Sequence, residues 1–395
     1  MRIGLLTTSF PRFEGDVAGS FVLGFARALA ARGHRITVLA PEPSERRTPP
    51  VFGDAIETRY VPYIRPHGWA RTFYGAGVLD NLVDPRAWPG LVTFPPALVL
   101  AASRSLRGHD ALVSHFALPC GLAAALLRAG RPHVAVLHSA DLHVLERAPG
   151  GSTLARALVA RASHVTCVSQ RAREKLIALL PRAQRAELAL RVHVQAMGVE
   201  AHALAQSLPE RAAARAKLGL HGFTLLSLAR LVPIKGLGEA LDALAAREDL
   251  EWIIAGDGPL RAELTRRAAS SRARIRLVGE VHGVEKLELL AAADALLLPS
   301  RPLPSGRTEG APLALLEAMA ARLPVIASDT GGIGELLDFG RAGLLFDPAR
   351  PGTLLAAVDR ARSDPAPSTR IECAQAIARK HDWQHIAERY ERWLQ

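Results

Sequence analysis

Short apolar runs alternate with amphipathic stretches almost from one end of the chain to the other. Ile3–Thr8, Ile36–Ala40, Ala111–Ser114, His133–Leu137, Val165–Val168 and Val192–Gln195 read as one series of strands. Thr224–Leu228, Trp252–Ala255, Ile275–Val278, Ala295–Leu298, Pro324–Ala327 and Gly343–Phe346 read as a second. Continuous apolar strands separated by helical spacing predict an α/β protein whose parallel sheets are covered on both faces. The first βαβ unit is the most explicit. Strand Ile3–Thr8 runs into the loop Phe13-Glu14-Gly15-Asp16-Val17-Ala18-Gly19, and a helix opens with Ser20 as its cap. Phe21, Phe25 and Leu29 lie one turn apart on one stripe, and Gly33 is placed to end the helix in a left-handed cap. Further helices are expected over Gly121–Ala129, Arg171–Leu180 and Trp383–Trp393.

At 395 residues the chain is too long for one ordinary domain. Met197-Gly198-Val199-Glu200, followed by Pro209, marks the expected boundary, giving domains at 1–198 and 199–379. Between Val51 and Pro96 the pattern is lost among prolines and aromatics, which predicts an irregular insertion. Ala87–Ser103 carries no charge, but Pro89, Gly90, Pro95 and Pro96 interrupt it, so it does not read as a membrane span. It reads either as core under a neighbouring helix or as an interfacial contact flanked by Arg86, Arg104 and Arg107.

Charge sharpens this picture. The net charge is +11, and the first 200 residues hold 24 Lys and Arg against 14 Asp and Glu, while the remainder is nearly balanced. A basic first half points to an anionic partner, whether phosphate groups, lipid head groups or nucleic acid. Cys120, Cys167 and Cys373 show neither a disulfide framework nor a metal-binding pair, which fits a reducing, cytoplasmic location. Met1–Leu6 reads as a first strand rather than a leader.

Candidate chemistry concentrates in the second half. Glu309-Gly310-Ala311-Pro312-Leu313 precedes a helix that contains Glu317, with Pro312 suited to the first helical position. That helix N-terminus lies on the carboxyl side of the sheet, where free N–H groups favour an anion. Carboxylates beside an anion site suit hydroxyl groups of a ribose or sugar. Ala229-Arg230-Leu231-Val232-Pro233-Ile234-Lys235-Gly236 follows a strand and brings two cations that can converge on a diphosphate. Gly256-Asp257-Gly258 and Thr330-Gly331-Gly332 are further strand-end glycine turns. In the first half, His138 in His138-Ser139-Ala140-Asp141 and, more weakly, His115 stand at strand carboxyl ends. Neither an HExxH pattern nor a DxD pair is present, so no bound metal or other cofactor is expected, and neutralising a leaving diphosphate falls to Arg230, Lys235 and the helix dipole.

These segments, with "RGHRITVLAP", "MGVE", "ARLVPIKG", "AGDGPLR", "AAADALLLPS", "EGAPLALLEAMAARLPVIAS" and "TGGIGELL", resemble the retaining glycosyltransferases of family 4 over nearly the whole chain. The resemblance implies a GT-B fold: two Rossmann-like, doubly wound domains facing each other across a cleft, with residues 380–395 crossing back to the first domain through Trp383 and Tyr390. It implies that Arg230 and Lys235 hold the donor diphosphate, Glu309 the transferred sugar and Glu317 the ribose. Gly258, Gly310, Ala311, Pro312 and Leu313 would complete the donor site, with His138, Gly15 and Gly19 approaching from the other domain. Departures are Ala229 and Arg322, where the family often has glycine, "HSAD" in place of His-Gly, and the wider spacing of Gly15 and Gly19.

The expected activity is transfer of a hexose, with retention, from a nucleotide diphosphate-sugar to a sugar or lipid-linked acceptor such as a polysaccharide precursor. Expected partners are that donor, the acceptor and an anionic membrane surface on the inner face, with no nucleic acid. An epimerase or phosphorolytic enzyme on the same architecture, and a binding protein without turnover, are the alternatives.

Overall fold

A computed structural model describes residues 1–13, 15–45, 50–74, 78–363 and 368–395. Glu14 of the first glycine loop lies outside the described residues. The chain forms two compact units, Met1–Met197 together with Trp383–Gln395, and Gly198–Asp382.

In the first unit seven parallel strands, β1 Arg2–Leu6, β2 Arg35–Pro41, β3 Ile56–Val61, β4 Ala111–His115, β5 His133–Leu137, β6 His164–Cys167 and β7 Val192–Val194, pair in the order β3-β2-β1-β4-β5-β6-β7. β1 lies inside the sheet, with Ile3 opposite both Ile36 and Ala111. β1, β4 and β5 are buried almost throughout, as expected of strands covered on both faces. Helix Ser20–Ala31 covers one face through Val22, Leu23, Phe25, Ala26 and Leu29.

The helix Trp383–Trp393 completes this unit. Tyr390 stacks edge-on against Phe25 with centroids 4.8 Å apart, and its hydroxyl meets Thr166 Oγ1 at 2.9 Å. Arg32 Nε donates to Glu391 Oε2 at 2.8 Å. Gly24 is required here, because a Cβ at that position would come within 2.7 Å of the Trp383 indole nitrogen.

In the second unit six parallel strands, β8 Phe223–Leu228, β9 Leu250–Ala255, β10 Arg274–Gly279, β11 Ala295–Leu298, β12 Val325–Ser328 and β13 Leu344–Phe346, pair in the order β10-β9-β8-β11-β12-β13. One apolar layer centres on Leu226, Leu296, Leu315, Leu316 and Met319, the other on Leu225, Trp252, Ile254 and Leu297.

Four local expectations are corrected. The insertion contains a regular edge strand, β3, whose alternating exposed and buried residues were obscured by the surrounding prolines. Trp88–Ser105 is one 18-residue helix that continues through Pro95 and Pro96. Pro95 is half-buried and Pro96 exposed, and the carbonyls that lose a donor belong to Leu91 and Val92, both exposed residues accessible to solvent. Gly19, at φ +69°, rather than Ser20, caps the first helix. Pro312 sits at the cap of helix Leu313–Ala320, with extended ψ, instead of inside its first turn.

That helix ends in a Schellman closure: Leu323 N–H donates to Ala318 O (2.9 Å) and Arg322 N–H to Met319 O (3.2 Å). The closure forces Arg322 to φ +60°. A non-glycine residue there costs about 1–2 kcal/mol, while its side chain gains only an exposed hydrogen bond to Gln375. Arg322→Gly is expected to stabilise the second unit by about 1 kcal/mol, read as a higher unfolding midpoint in urea; a lower midpoint would contradict this reading.

Candidate active site

Strand order reverses direction between β8 and β11 in the second unit. Loops leaving the carboxyl ends of such neighbouring strands run to opposite faces, and the crevice between them is where ligands bind in open α/β sheets. Lys235 stands in the loop after β8 and Glu309 in the segment after β11. The fold brings them together: Lys235 Nζ lies 2.8 Å from Glu309 Oε1, both side chains being only about one-seventh exposed (15% and 13%). A cation and a carboxylate, both largely desolvated at the switch point, can hold an anionic group and a hydroxyl group side by side.

Three loops hold this pair. Gly236, at φ +63°, lets the loop after β8 press against the one after β11, since a Cβ would fall 2.0 Å from Pro299 O. Arg301 N–H donates to Ile234 O (2.9 Å) across the same contact. From the loop after β12, Gly332 N–H donates to Glu309 O (3.2 Å), and Gly331 has no room for a side chain against that same carbonyl. The glycines expected to make way for a ligand therefore also make way for neighbouring backbone. Gly258 is a further case: its Cβ would lie 2.6 Å from Leu231 O, and Leu231 N–H donates to Asp257 O (2.8 Å).

The other expected donor-site residues are placed as follows. Arg230 begins the loop after β8 with an exposed side chain. Gly310 and Pro312 are buried, Ala311 and Leu313 half-buried, and together they lead into the N-terminus of helix Leu313–Ala320. Glu317, one turn inside, pairs with Lys286 at 2.8 Å, a partner the sequence did not reveal. Lys286 belongs to helix Gly283–Ala292, which follows β10 after a short turn. Ser300 and Ser328, after β11 and at the end of β12, are fully buried with hydroxyls that have no protein partner.

In the first unit the equivalent switch point lies between β1 and β4. The loop after β1 is folded on Asp16, which accepts from Arg12 Nε (2.6 Å) and from the backbone of Arg12 and Ala18. Those donors hold the Asp16 carboxyl below its usual range against the opposing effect of burial. Gly15 is exposed at φ +83°. Gly19 has its Cα against Ser9 O, 2.3 Å from where a Cβ would stand. Sequence reasoning missed Arg12 and Asp16; their spacing of four residues within the glycine loop was the available signal.

His138 caps helix Ser139–Arg147, its N–H donating to Asp141 Oδ2 at 2.7 Å. Its ring is stacked on His115 (Nε2 to Nδ1, 3.3 Å) and packed by Phe21 and Phe116, with centroids 5.0 and 4.8 Å away. Burial in this apolar nest pushes His138 down to about 4 and His115 well below its ordinary value. Burial likewise raises Asp141 to about 7, against donors from the His138 and Ala117 backbone. Phe116 itself is held at φ +74°, a costly conformation for an aromatic residue.

The two open parallel sheets, each reversing strand order at a switch point, define a two-unit, Rossmann-like α/β protein. Residues 222–364 match the family described as "Glycosyl transferases group 1", and residues 18–189 match "Glycosyltransferase Family 4". The amylovoran biosynthesis glycosyltransferase AmsK of Erwinia amylovora is 31% identical over 74% of this chain and 71% of its own length. A GDP-mannose-dependent α-mannosyltransferase of Mycolicibacterium smegmatis is 30% identical over 88% and 84%. Among solved structures, Anabaena Alr3699/HepE in complex with UDP superposes with a TM-score of 0.72, at 22% identity, over 100% of this chain and 99% of that one. The chain belongs to the group 1, family 4 glycosyltransferases and has their GT-B fold.

Because its depressed basicity follows from burial, His138 should remain a neutral imidazole throughout the physiological range. Its ring ¹H–¹⁵N signals are expected to be unchanged from pH 8 to pH 5 and to titrate only near pH 4; titration near pH 6.5 would show the nest to be open to water.

Proposed function

We propose that this glycosyltransferase moves a hexose from a nucleoside diphosphate-sugar to a sugar or lipid-linked acceptor, with retention of anomeric configuration and without a metal ion. The Lys235–Glu309 pair carries this reading. A carboxylate beside a diphosphate site would repel its ligand unless a cation stood between them, and the contact of Lys235 with Glu309 supports that role for Lys235. In the proposed complex Lys235 turns to the diphosphate, joined by Arg230 and the N-terminus of helix Leu313–Ala320, and Glu309 accepts hydrogen bonds from the sugar hydroxyls. Glu317 takes the ribose hydroxyls, with Lys286 holding its charge until the donor arrives.

The reaction then divides simply. The bond from the sugar C1 to the diphosphate oxygen breaks as positive charge develops on C1 and the ring oxygen. Both electrons of that bond leave with the diphosphate, whose added charge Lys235 and Arg230 stabilise. The acceptor hydroxyl bonds to C1 on the face just vacated, and its proton passes to the departing phosphate oxygen. His138, neutral at working pH, is able to accept or donate a hydrogen bond to the sugar without adding charge. The hydrolase arrangement of two carboxylates flanking a bond is not invoked, since Glu309 and Glu317 have separate partners.

Removing Lys235 or Glu309 should raise the barrier by about 2–4 kcal/mol, as loss of a preorganised charge contact does elsewhere. Lys235→Ala and Glu309→Ala are expected to lower kcat about 100- to 1,000-fold with unchanged circular dichroism. Turnover within twofold of the parent would remove both residues from the site. A donor panel of UDP-, GDP- and ADP-hexoses, scored by ¹H NMR of the product anomeric proton, should show the donor's own configuration. Chelation with EDTA should leave the rate unaltered; an inverted product or an EDTA-sensitive rate would contradict those parts of the proposal.

A further inference from the structure

Helix Trp88–Ser105 buries one face through Gly90, Phe94, Leu98 and Ala102. Gly90 lies so close to Thr72 that a Cβ would be 2.0 Å from its hydroxyl, so this helix is firmly seated on its unit. Its opposite face is apolar and open. Trp88, Val92, Pro96 and Leu100 follow one another at intervals of four, with Leu91 beside them. Trp88 is 58% exposed, Val92 75% and Leu100 50%. Single exposed apolar residues are ordinary, but a stripe running about 20 Å along a helix is not.

Charge indicates what covers this face. From Pro85 to His109 the chain has no Asp or Glu, while Arg86 precedes the stripe and Arg104 and Arg107 end it. Arg104 and Arg107 are exposed, and neither has a carboxylate partner among the described residues. Arg86 is tied to Asp84 at 3.0 Å, so the free positive charge lies at the C-terminal end of the helix. An indole, branched aliphatics and arginines on one exposed helix face match the chemistry of the boundary between acyl chains and phosphate head groups. A protein partner would more commonly bury a wider patch closed by hydrogen-bonding groups.

We propose that the exposed face of Trp88–Ser105 is a docking surface for an anionic lipid bilayer. Trp88, Leu91, Val92 and Leu100 enter the head-group layer with the helix lying flat, and Arg104 and Arg107 pair with lipid phosphates. Among the described residues no helix, this one included, is long and apolar enough to span the membrane. Docking of this kind shares with the lipid-linked acceptor only the presence of a bilayer, and it is measured without donor or acceptor.

The test is flotation of the full-length protein with phosphatidylcholine vesicles and with vesicles containing 30 mol% phosphatidylglycerol, each at low and high salt. The protein should float with the anionic vesicles at least tenfold more than with the neutral ones, and less as salt rises. Val92→Asp with Leu100→Asp should reduce flotation about tenfold with an unchanged unfolding midpoint, since both positions are exposed. Arg104→Glu with Arg107→Glu should abolish the preference for anionic vesicles. Absence of wild-type flotation, or variants that float as well as the parent, overturns the proposal. So does a wild-type dimer on gel filtration that the Val92→Asp, Leu100→Asp variant converts to monomer, which would assign the stripe to self-association. Transfer to a water-soluble acceptor should be unchanged in these variants, so loss of docking and failure of the proposed chemistry give different results.

Discussion

No atom fits between the Gly236 Cα and the Pro299 carbonyl, and the second unit is organised around that contact. The sheet reverses its strand order between β8 and β11, so their loops tend to diverge. Bringing the loops into backbone contact requires a residue without a side chain in a left-handed conformation. Once they touch, the cation at 235 and the carboxylate at 309 have little choice but to meet. Bringing the two charges out of water costs desolvation, against which their 2.8 Å contact acts. What results is a charged site held in place before any ligand arrives, which is the property electrostatic stabilisation of a leaving group demands.

The first unit places a different kind of chemistry at its corresponding strand ends. There the polar groups are imidazoles, His115 buried and His138 half-buried against Phe21 and Phe116, whose basicity is depressed by desolvation. One unit thus offers strong charge and the other an uncharged hydrogen-bonding ring.

Much of this was legible in the sequence. Buried parallel strands are mostly apolar runs, and twelve strands could be picked out because few polar residues interrupt them. β3 escaped because an edge strand alternates, and its Glu57 and Arg59 look like loop residues when prolines lie on either side. Proline also misled over Trp88–Ser105, where local propensity predicts a break and the exposure of Leu91 and Val92 permits a helix. Lys235 was visible in a glycine turn that follows a strand, and Glu309 in a Gly-Ala-Pro segment that precedes a helix. Lys286 was not, since its meeting with Glu317 is set by how two helices pack and leaves no local trace. Gly331 and Gly258 were noticed for what a ligand needs, but their geometry also answers to neighbouring carbonyls. Arg322 stands where glycine is usual and adopts the backbone angles glycine would have, a case in which the turn is kept and the residue that favours it is not.

The helix Trp383–Trp393 closes a unit whose other residues all precede Gly198. During synthesis the ribosome must therefore add 185 residues of the second unit before the groove around Phe25 and Thr166 receives Tyr390. Until then the nascent first unit presents an apolar furrow to its surroundings. The first unit therefore stays incomplete for as long as the second is being made, an interval in which exposed apolar surface favours misassembly.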